Sequence, residues 1–462
     1  MENIVILGGG LGGFYVAKGL EKQLKRGEAQ VTLVDARCAC TYQPFLAEVV
    51  SGCIEPRHVL TPLRRHLPRT DVVQARVEAI DSAARQVTVS AAGQTWQIPY
   101  DQLVVALGAV TKTFPTPGIA DNAIGLKAVE EAAAIRNRLI YNFDTAASLP
   151  KGSPARKRLL TVVVVGGGFS GVECFAEICD LVRIMLKHRR TIDPAEVSLN
   201  LVEATDRILP ELPPEHSGWV IKQLEKRRGR VLLKTFVTDA TDGVVTTSAG
   251  EKLDAGVLVW TAGVTACPAM ANGDLPLEPR GRLICGDDLR VRTAMGDEGQ
   301  VVPCVWGLGD ASCVPDKTGA GLPDGSCAPT AQHAVRQAKV LVQNLVATLR
   351  APGGEAPELK GYYHENAGMV AGLGTAKGIF ASGKKKLIIK GWPAWFMHRG
   401  YHGLALPSWE RKLRVFGDWT ATFVIKRDAT DTMGTFGTVN PRDFFEEFAL
   451  RPKPSESESQ VR

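Results

Sequence analysis

Five glycines in six residues, Gly8-Gly9-Gly10-Leu11-Gly12-Gly13, follow an apolar run from Asn3 to Leu7. Gly8, Gly10 and Gly13 have the Gly-x-Gly-x-x-Gly spacing. The first glycine permits a tight turn, the second lets backbone approach a pyrophosphate, and the third lets helix pack on strand. The helix that follows offers free N–H groups and the positive end of its dipole to phosphates. Asp35 stands 22 residues after Gly13, at the end of the next apolar run, where a carboxylate can accept hydrogen bonds from a ribose. The pattern returns 158 residues later as Gly166, Gly168 and Gly171, after the apolar run Leu160 to Val165. There Glu203 closes the next run, Val197 to Val202. Its spacing of 32 residues from Gly171 is loose; Asp193 is nearer but precedes the run instead of ending it, so geometry favours Glu203. A carboxylate there repels a 2′-phosphate, which favours NADH over NADPH. For each turn the bland alternative is a plain glycine-rich loop.

The elements that must position these groups read strand, glycine turn, helix, strand, twice over. Between the two units, Ile98 to Thr111 reads as a buried strand breaking at Gly108, and Leu126 to Phe143 has helical periodicity. Leu149 to Arg158, with Pro, Gly, Ser and basic residues, reads as a linker. Later strands run Val257 to Gly263 and Val301 to Gly309, and a helix runs Ala328 to Leu349 until Pro352-Gly353-Gly354 stops it. Pro452 to Arg462 is Ser/Glu/Pro-rich and is expected to be disordered.

Two nucleotide sites in one chain suggest one resident dinucleotide and one that exchanges, an arrangement hydride chemistry explains: a flavin takes two electrons from NADH and passes them on. The alternative is two nucleotide sites without catalysis. A chain of 462 residues, 45% apolar and 23% charged, buries a large core and excludes global disorder. No run approaches the roughly 20 apolar residues of a spanning helix, and the opening Met-Glu-Asn is not that of a signal peptide, so a cytoplasmic protein is expected. Ten cysteines without a Cys-x-x-Cys pair form neither a disulfide framework nor a zinc ladder, and no metal is expected.

Thr41-Tyr42-Gln43-Pro44-Phe45-Leu46-Ala47-Glu48-Val49, Ala106-Leu107-Gly108, the turn Gly166 to Glu173, Trp306-Gly307-Leu308-Gly309-Asp310 and Ala328-Pro329-Thr330-Ala331-Gln332-His333-Ala334 resemble type II NADH:quinone dehydrogenases. The resemblance runs from about residue 3 to 350 and more loosely from 360 to 430. It implies a peripheral membrane flavoprotein with the two-dinucleotide-domain fold of glutathione reductase. FAD would be held by Gly8, Gly10, Gly13 and Asp35 on its adenosine half, by Gly108, and by Gly309-Asp310 near the ribityl or pyrophosphate. Gln43 and Pro44 would border the flavin ring. The helix beginning near Thr330 and Ala331 would aim its N-terminus at the flavin N1 and C2 carbonyl, where its dipole stabilises negative charge. NADH would take Gly166, Gly168, Gly171 and Glu203.

The resemblance also gives Glu173 a proton-handling or hydride-orienting role; the alternative is a carboxylate complementing the helix dipole in its first turn. Asp310 could be only a turn carboxylate, and the Thr330 helix only a packed one. The family's Ala-Gln-x-Ala-x-Gln reads Ala331-Gln332-His333-Ala334-Val335-Arg336 here, so Gln332 can still donate to a quinone carbonyl while Arg336 brings a permanent charge. Disulfide reductases of this fold need a cysteine pair where this chain has Thr-Tyr-Gln-Pro-Phe-Leu. Cys174, Cys267, Cys313 and Cys327 keep a sulfide:quinone oxidoreductase open; most cysteines read as buried fillers.

The charge is local. Lys377 to Arg427 holds eleven Lys or Arg against Glu410 and Asp418, a balance of +9 within an overall +6, so the remainder is −3. Trp392, Trp395, Trp409 and Trp419 lie in the same segment, with Lys384-Lys385-Lys386 upstream. Tryptophans suit the headgroup region and Lys/Arg pair with anionic lipid, so this segment is expected to lie on a membrane. The alternative is a helix pair packed on the protein or in a dimer interface. His398, Arg399 and His402 could line a quinone entrance or be structural, and no motif accompanies the charge that would read nucleic acid.

The expected architecture is α/β: two dinucleotide-binding, Rossmann-like domains of the glutathione-reductase type plus a C-terminal membrane-associating segment. An FAD-binding domain would span 1–120 and 270–365, an NADH-binding domain 121–269, the membrane-associating region 366–445 and a disordered tail 446–462. The expected activity passes hydride from NADH to FAD and two electrons to a quinone, without proton pumping, on the inner face of the cytoplasmic membrane and with a homodimer possible. The alternatives are the sulfide:quinone oxidoreductase, a soluble NADH-dependent reductase of a redox protein, and a non-enzymatic flavin-based membrane sensor.

Overall fold

The computed structural model describes residues 1–430 except 297–298, 352–356, 366–367 and 384–386. The Pro352-Gly353-Gly354 stop, the Lys384–Lys386 cluster and the tail 446–462 therefore lie outside the described residues. The chain forms two compact units. The first comprises Met1–Thr41, Leu60–Val110 and Thr265–Glu365, and the second Tyr42–Val59, Thr111–Val264 and Asn366–Arg462. The described part of the expected region 366–445 thus falls in the same unit as the second glycine turn.

In the first unit a six-stranded sheet runs, edge to edge, Arg290–Arg292, Val301–Gly307, Gln102–Val105, Glu2–Leu7, Ala29–Asp35 and Asp71–Gln74. All neighbours are parallel except the outermost pair, Arg290–Arg292 with Val301–Gly307. The inner strands are buried on both faces, as parallel sheets covered by helices require; Ile4 to Leu7 and Leu103 to Val105 are at most 1% exposed. Helix Leu11–Gln23 buries Phe14, Val16, Ala17 and Leu20 and packs against helix Ala331–Arg350, with Gly19 lying under Val342. The glycine turns after Leu7, Val105 and Gly307 all stand at carboxyl ends of adjacent strands, the usual place for a ligand in an open α/β sheet.

The second unit repeats the plan. Its five parallel strands run Ala123–Ile124, Val257–Trp260, Thr161–Val165, Ser198–Val202 and Gly229–Leu232. Thr161–Val165, a β-branched run buried at every position, is the central strand. Helix Phe169–His188 crosses behind it, and helix Val129–Ser148 realises the periodicity read from Leu126 to Phe143. An antiparallel sheet, Gly368–Gly372, Gly378–Ser382 and Ile388–Lys390, supports helix Trp392–Ala405, and helix Trp409–Ile425 follows.

One expected linker is not a linker. Within Leu149 to Arg158, Pro154–Leu159 is helical, capped by Ser153. Arg156 is 2% exposed and donates to the carbonyls of Ala146, Leu149 and Thr191 and in a fork to Glu196 at 2.8 Å. A loop composition disguised a buried clasp, because a charged residue can be internal when every donor finds an acceptor.

Candidate functional site

The two glycine turns are built alike. Gly8 and Gly166 have φ of 98° and 112°, a region closed to most L side chains. A Cβ on Gly13 or Gly171 would stand 1.9 Å from the carbonyl oxygen of Gly8 or Gly166. By contrast a Cβ on Gly10 or Gly168 would meet nothing within 4 Å. Those two residues begin their helices without a side-chain cap and with no acid in the first turn, so the terminal N–H groups face open space. Open backbone donors of this kind can receive phosphate oxygens.

Each turn is also tied to its carboxylate in the same way. Asp35 accepts from the backbone N–H of Gly9 and of Arg37, both at 2.6 Å. Glu203 accepts from Gly167 at 2.5 Å and from Thr205 at 2.7 Å. Burial pushes the Asp35 carboxyl above its usual range, and the two backbone donors oppose that. Asp193 instead caps the short turn Pro194–Glu196 by accepting from Ala195, so Glu203 is the acid beside the second glycine turn. The fit to two dinucleotides is thus met by the same geometry twice, once in each unit.

Other candidates in the first unit gather around these strand ends. Gly108 follows Gln102–Val105, and Gly309 donates to Gln337 at 2.7 Å with Asp310 beside it. Thr330 caps helix Ala331–Arg350 by accepting from His333 N–H. Arg336 reaches back to the Gln332 carbonyl at 3.3 Å, so the charge that replaces the family's glutamine lies along its own helix. His333 bonds Tyr362 at 2.8 Å, and burial followed by the Arg336 charge holds His364 below its usual range.

In the second unit Gln43, Pro44 and Phe45 form a single turn, with Gln43 donating to the Lys127 carbonyl at 3.0 Å. Glu173 lies in the second turn of its helix rather than the first, which removes the simple dipole reading. Its Oε1 accepts from Gly372 N–H at 2.7 Å and stands 3.2 Å from His398 Nε2. Pro44, Glu48, Glu173, Glu177 and His398 line a cavity of about 10 Å³, room for one water.

Reasoning from the sequence missed the charged cluster around that cavity. Glu48, 5% exposed, accepts from Arg399 at 3.1 Å and from Trp419 Nε1 at 2.7 Å, with the guanidinium 4.1 Å above the Trp395 ring centroid. Glu177, 4% exposed, takes Arg427 at 2.7 Å. Burial works against the Arg427 charge, but Glu177, Asp180 and Glu48 keep it protonated. The signal was present: Glu173, Glu177 and Asp180 are spaced i, i+4, i+7 in a helical stretch, Val172 to Val182, that is otherwise apolar, so they share one face.

All ten cysteines are free and seven are buried. Burial raises the thiols of Cys174, Cys267, Cys313 and Cys327, the last to about 12, which favours their protonated form.

Two such nucleotide cradles on parallel sheets define a dinucleotide-dependent oxidoreductase scaffold. The chain belongs to the pyridine nucleotide-disulphide oxidoreductase family, whose model matches residues 2–338. It is 29% identical over 436 residues to the type II NADH:quinone oxidoreductase NdhA of Mycobacterium tuberculosis, covering 92% of this chain and 87% of that one. It is 29% identical over 450 residues to the mitochondrial internal alternative NAD(P)H-ubiquinone oxidoreductase A1 of Arabidopsis thaliana, covering 92% and 84%. These relatives bear out the resemblance read from the motifs. The fold matches that of NDH2 from Plasmodium falciparum, solved in complex with NADH, with a TM-score of 0.82 at 20% identity over 93% of this chain and 99% of that one.

Proposed function

We propose that the protein is a type II NADH:quinone oxidoreductase. The observation that carries the reading is the duplicated cradle, one glycine turn and one strand-end carboxylate in each unit, within a chain whose relatives carry that activity over nine-tenths of its length. FAD held by Gly8, Gly10, Gly13 and Asp35, with Gly108, Gly309, Asp310 and Ala331 beside it, would accept hydride from NADH and return two electrons to the quinone. The second unit, through Gly166, Gly168, Gly171 and Glu203, binds NADH by its ribose hydroxyls and disfavours a 2′-phosphate. Gln43 and Pro44 border the flavin ring, Glu173 handles a proton, and Gln332 donates to the quinone. The raised thiols speak against a sulfide-oxidising cysteine pair. Purified holoprotein should be yellow, bleach on anaerobic NADH, and oxidise NADH with a panel of quinones; sulfide as sole donor should give no turnover. Ferricyanide reduction without quinone reduction would overturn the acceptor.

The C-terminal helices support membrane association through apolar contact more than through charge. They are inverted: His398, Arg399, Val415 and Trp419 face inward, whereas Trp392, Leu404, Trp409, Leu413 and Ile425 are 63–77% exposed. An exposed apolar face of this kind marks an interaction surface. Part of the basic charge expected to meet anionic lipid is used internally, since Arg399 and Arg427 are buried in ion pairs. Among the described residues no helix is long and apolar enough to cross a bilayer. The reading is of a peripheral protein on the cytoplasmic face. Combined Leu404→Glu, Leu413→Glu and Ile425→Glu should lower vesicle binding more than tenfold, while 0.5 M salt should lower it only about twofold because apolar contacts are not screened. Sedimentation with liposomes checks both.

A further inference from the structure

His398 is the buried titratable group for which the reading above has no use. It projects from helix Trp392–Ala405, 3% exposed, with Nε2 3.2 Å from Glu173 and Nδ1 3.9 Å from Glu48. Both contacts are close enough for a charged pair, yet neither ring nitrogen has an in-line hydrogen-bond partner. His398 instead lines the one-water cavity together with Glu48, Glu173 and Glu177. The ionisable groups facing His398 are Glu173 and Glu177 from helix Phe169–His188, Glu48 from Leu46–Val50, and Arg399 and His402 from its own helix. The His402 ring centroid lies 4.7 Å away, and its Nδ1 is 3.0 Å from the Tyr42 hydroxyl. With Glu177 matched by Arg427, Glu173 and Glu48 against the Arg399 guanidinium favour a charged imidazole in a site too enclosed for solvent to supply the same compensation.

We propose that His398 is the positioning residue of the proton step, supplying Glu173 with the proton that accompanies the electrons. The inference rests on the reading of Glu173 as the proton-handling group. In NADH + H⁺ + quinone → NAD⁺ + quinol, the hydride brings both electrons and one hydrogen, and the second hydrogen is a solvent proton. The His398 Nε2–H bond breaks as a Glu173 O–H bond forms, and Glu173 passes its proton to the reduced acceptor. Neutral His398 then recovers one proton from water, directly or through the water-sized cavity. One proton therefore enters per turnover, and no electron passes through either side chain.

The sign of the pH dependence follows. Burial alone would lower the His398 pKa, but the Glu173 carboxylate at 3.2 Å, with Glu48, outweighs it and the net direction is upward. His402 is held well below the usual value by burial and by the His398 charge, so it stays neutral over the same range. Quinone-dependent kcat should be high while His398 is protonated and fall as pH rises through its raised pKa. The stability His398 contributes is fully present below about 6.5 and is lost as pH rises from there through its raised folded-state pKa.

The test uses holoprotein and its pH profile from 5.5 to 10. H398N should lower kcat about tenfold at low pH and abolish the alkaline limb, with KM for NADH within twofold. The melting temperature of wild type minus that of H398N should fall along the same pH axis. E48Q keeps the shape and removes the second carboxylate facing His398, so its limb should move to lower pH; this arm stands if H398N does not fold. Normal bleaching by NADH with the limb unchanged in H398N, or unmoved in E48Q, overturns the role of His398 and leaves the oxidoreductase reading intact. Wild-type protein that neither bleaches nor turns over overturns that reading itself.

Discussion

Replacing Glu173 by glutamine should lower quinone-dependent kcat about a hundredfold, because a positioned proton-transfer group contributes roughly 10²–10⁴. Glutamine keeps an acceptor for Gly372 N–H and the volume at the cavity wall, so packing survives while the charge and the transferable proton are lost. KM for NADH should move less than threefold, since neither the glycine turn nor Glu203 is touched. Steady-state kinetics beside the rate of anaerobic flavin bleaching separates the two half-reactions. A kcat within twofold of wild type would return Glu173 to a structural group. The alanine variant is a poorer probe, because it strips the Gly372 N–H and His398 of a partner at once.

Glu203→Ala should invert the preference of the nucleotide site. If Glu203 accepts a ribose hydrogen bond as proposed, removing it costs about 1.5–3 kcal/mol for a bond to a charged group, a loss of roughly 10–150-fold in kcat/KM for NADH. With the repulsion of a 2′-phosphate gone, NADPH should improve, and the ratio of the two should fall by about a hundredfold. Because Glu203 also holds Gly167 and Thr205, one through each oxygen, E203Q is the necessary companion: it keeps one acceptor for the turn at Gly167 and gives up the charge and the bond from Thr205. Equal ratios in wild type and both variants would remove Glu203 from nucleotide selection.

Legibility followed physical periodicity. Gly8 and Gly13, and their counterparts at 166 and 171, were readable because a positive φ at the first and a 1.9 Å approach at the last admit no other residue, so the constraint is written in the amino-acid type. Strands Glu2–Leu7 and Thr161–Val165 were readable because burial on both faces demands an unbroken apolar run. The clasp at Arg156 was not, since its meaning depends on carbonyls supplied by residues 146, 149 and 191 and on Glu196. The C-terminal helices misled for a related reason. Tryptophans and arginines in one segment suggested rings and cations both facing outward, whereas Arg399 and Trp419 turn inside against Glu48 while Trp392, Leu404, Trp409 and Leu413 are exposed. Composition reports what a segment contains; which side turns inward depends on partners hundreds of residues away.

The inward ion pair of Arg427 has a practical consequence for anyone shortening the chain to shed its greasy end. A stop codon placed after Ile425 removes the sole guanidinium within 3 Å of Glu177 among the described residues and leaves that acid enclosed beside Asp180. The shortened product should express poorly for lack of a counterion in its interior, not for lack of a membrane. Recolouring the outer surface with glutamates while keeping Arg427 leaves that ion pair in place and should still yield a more tractable preparation.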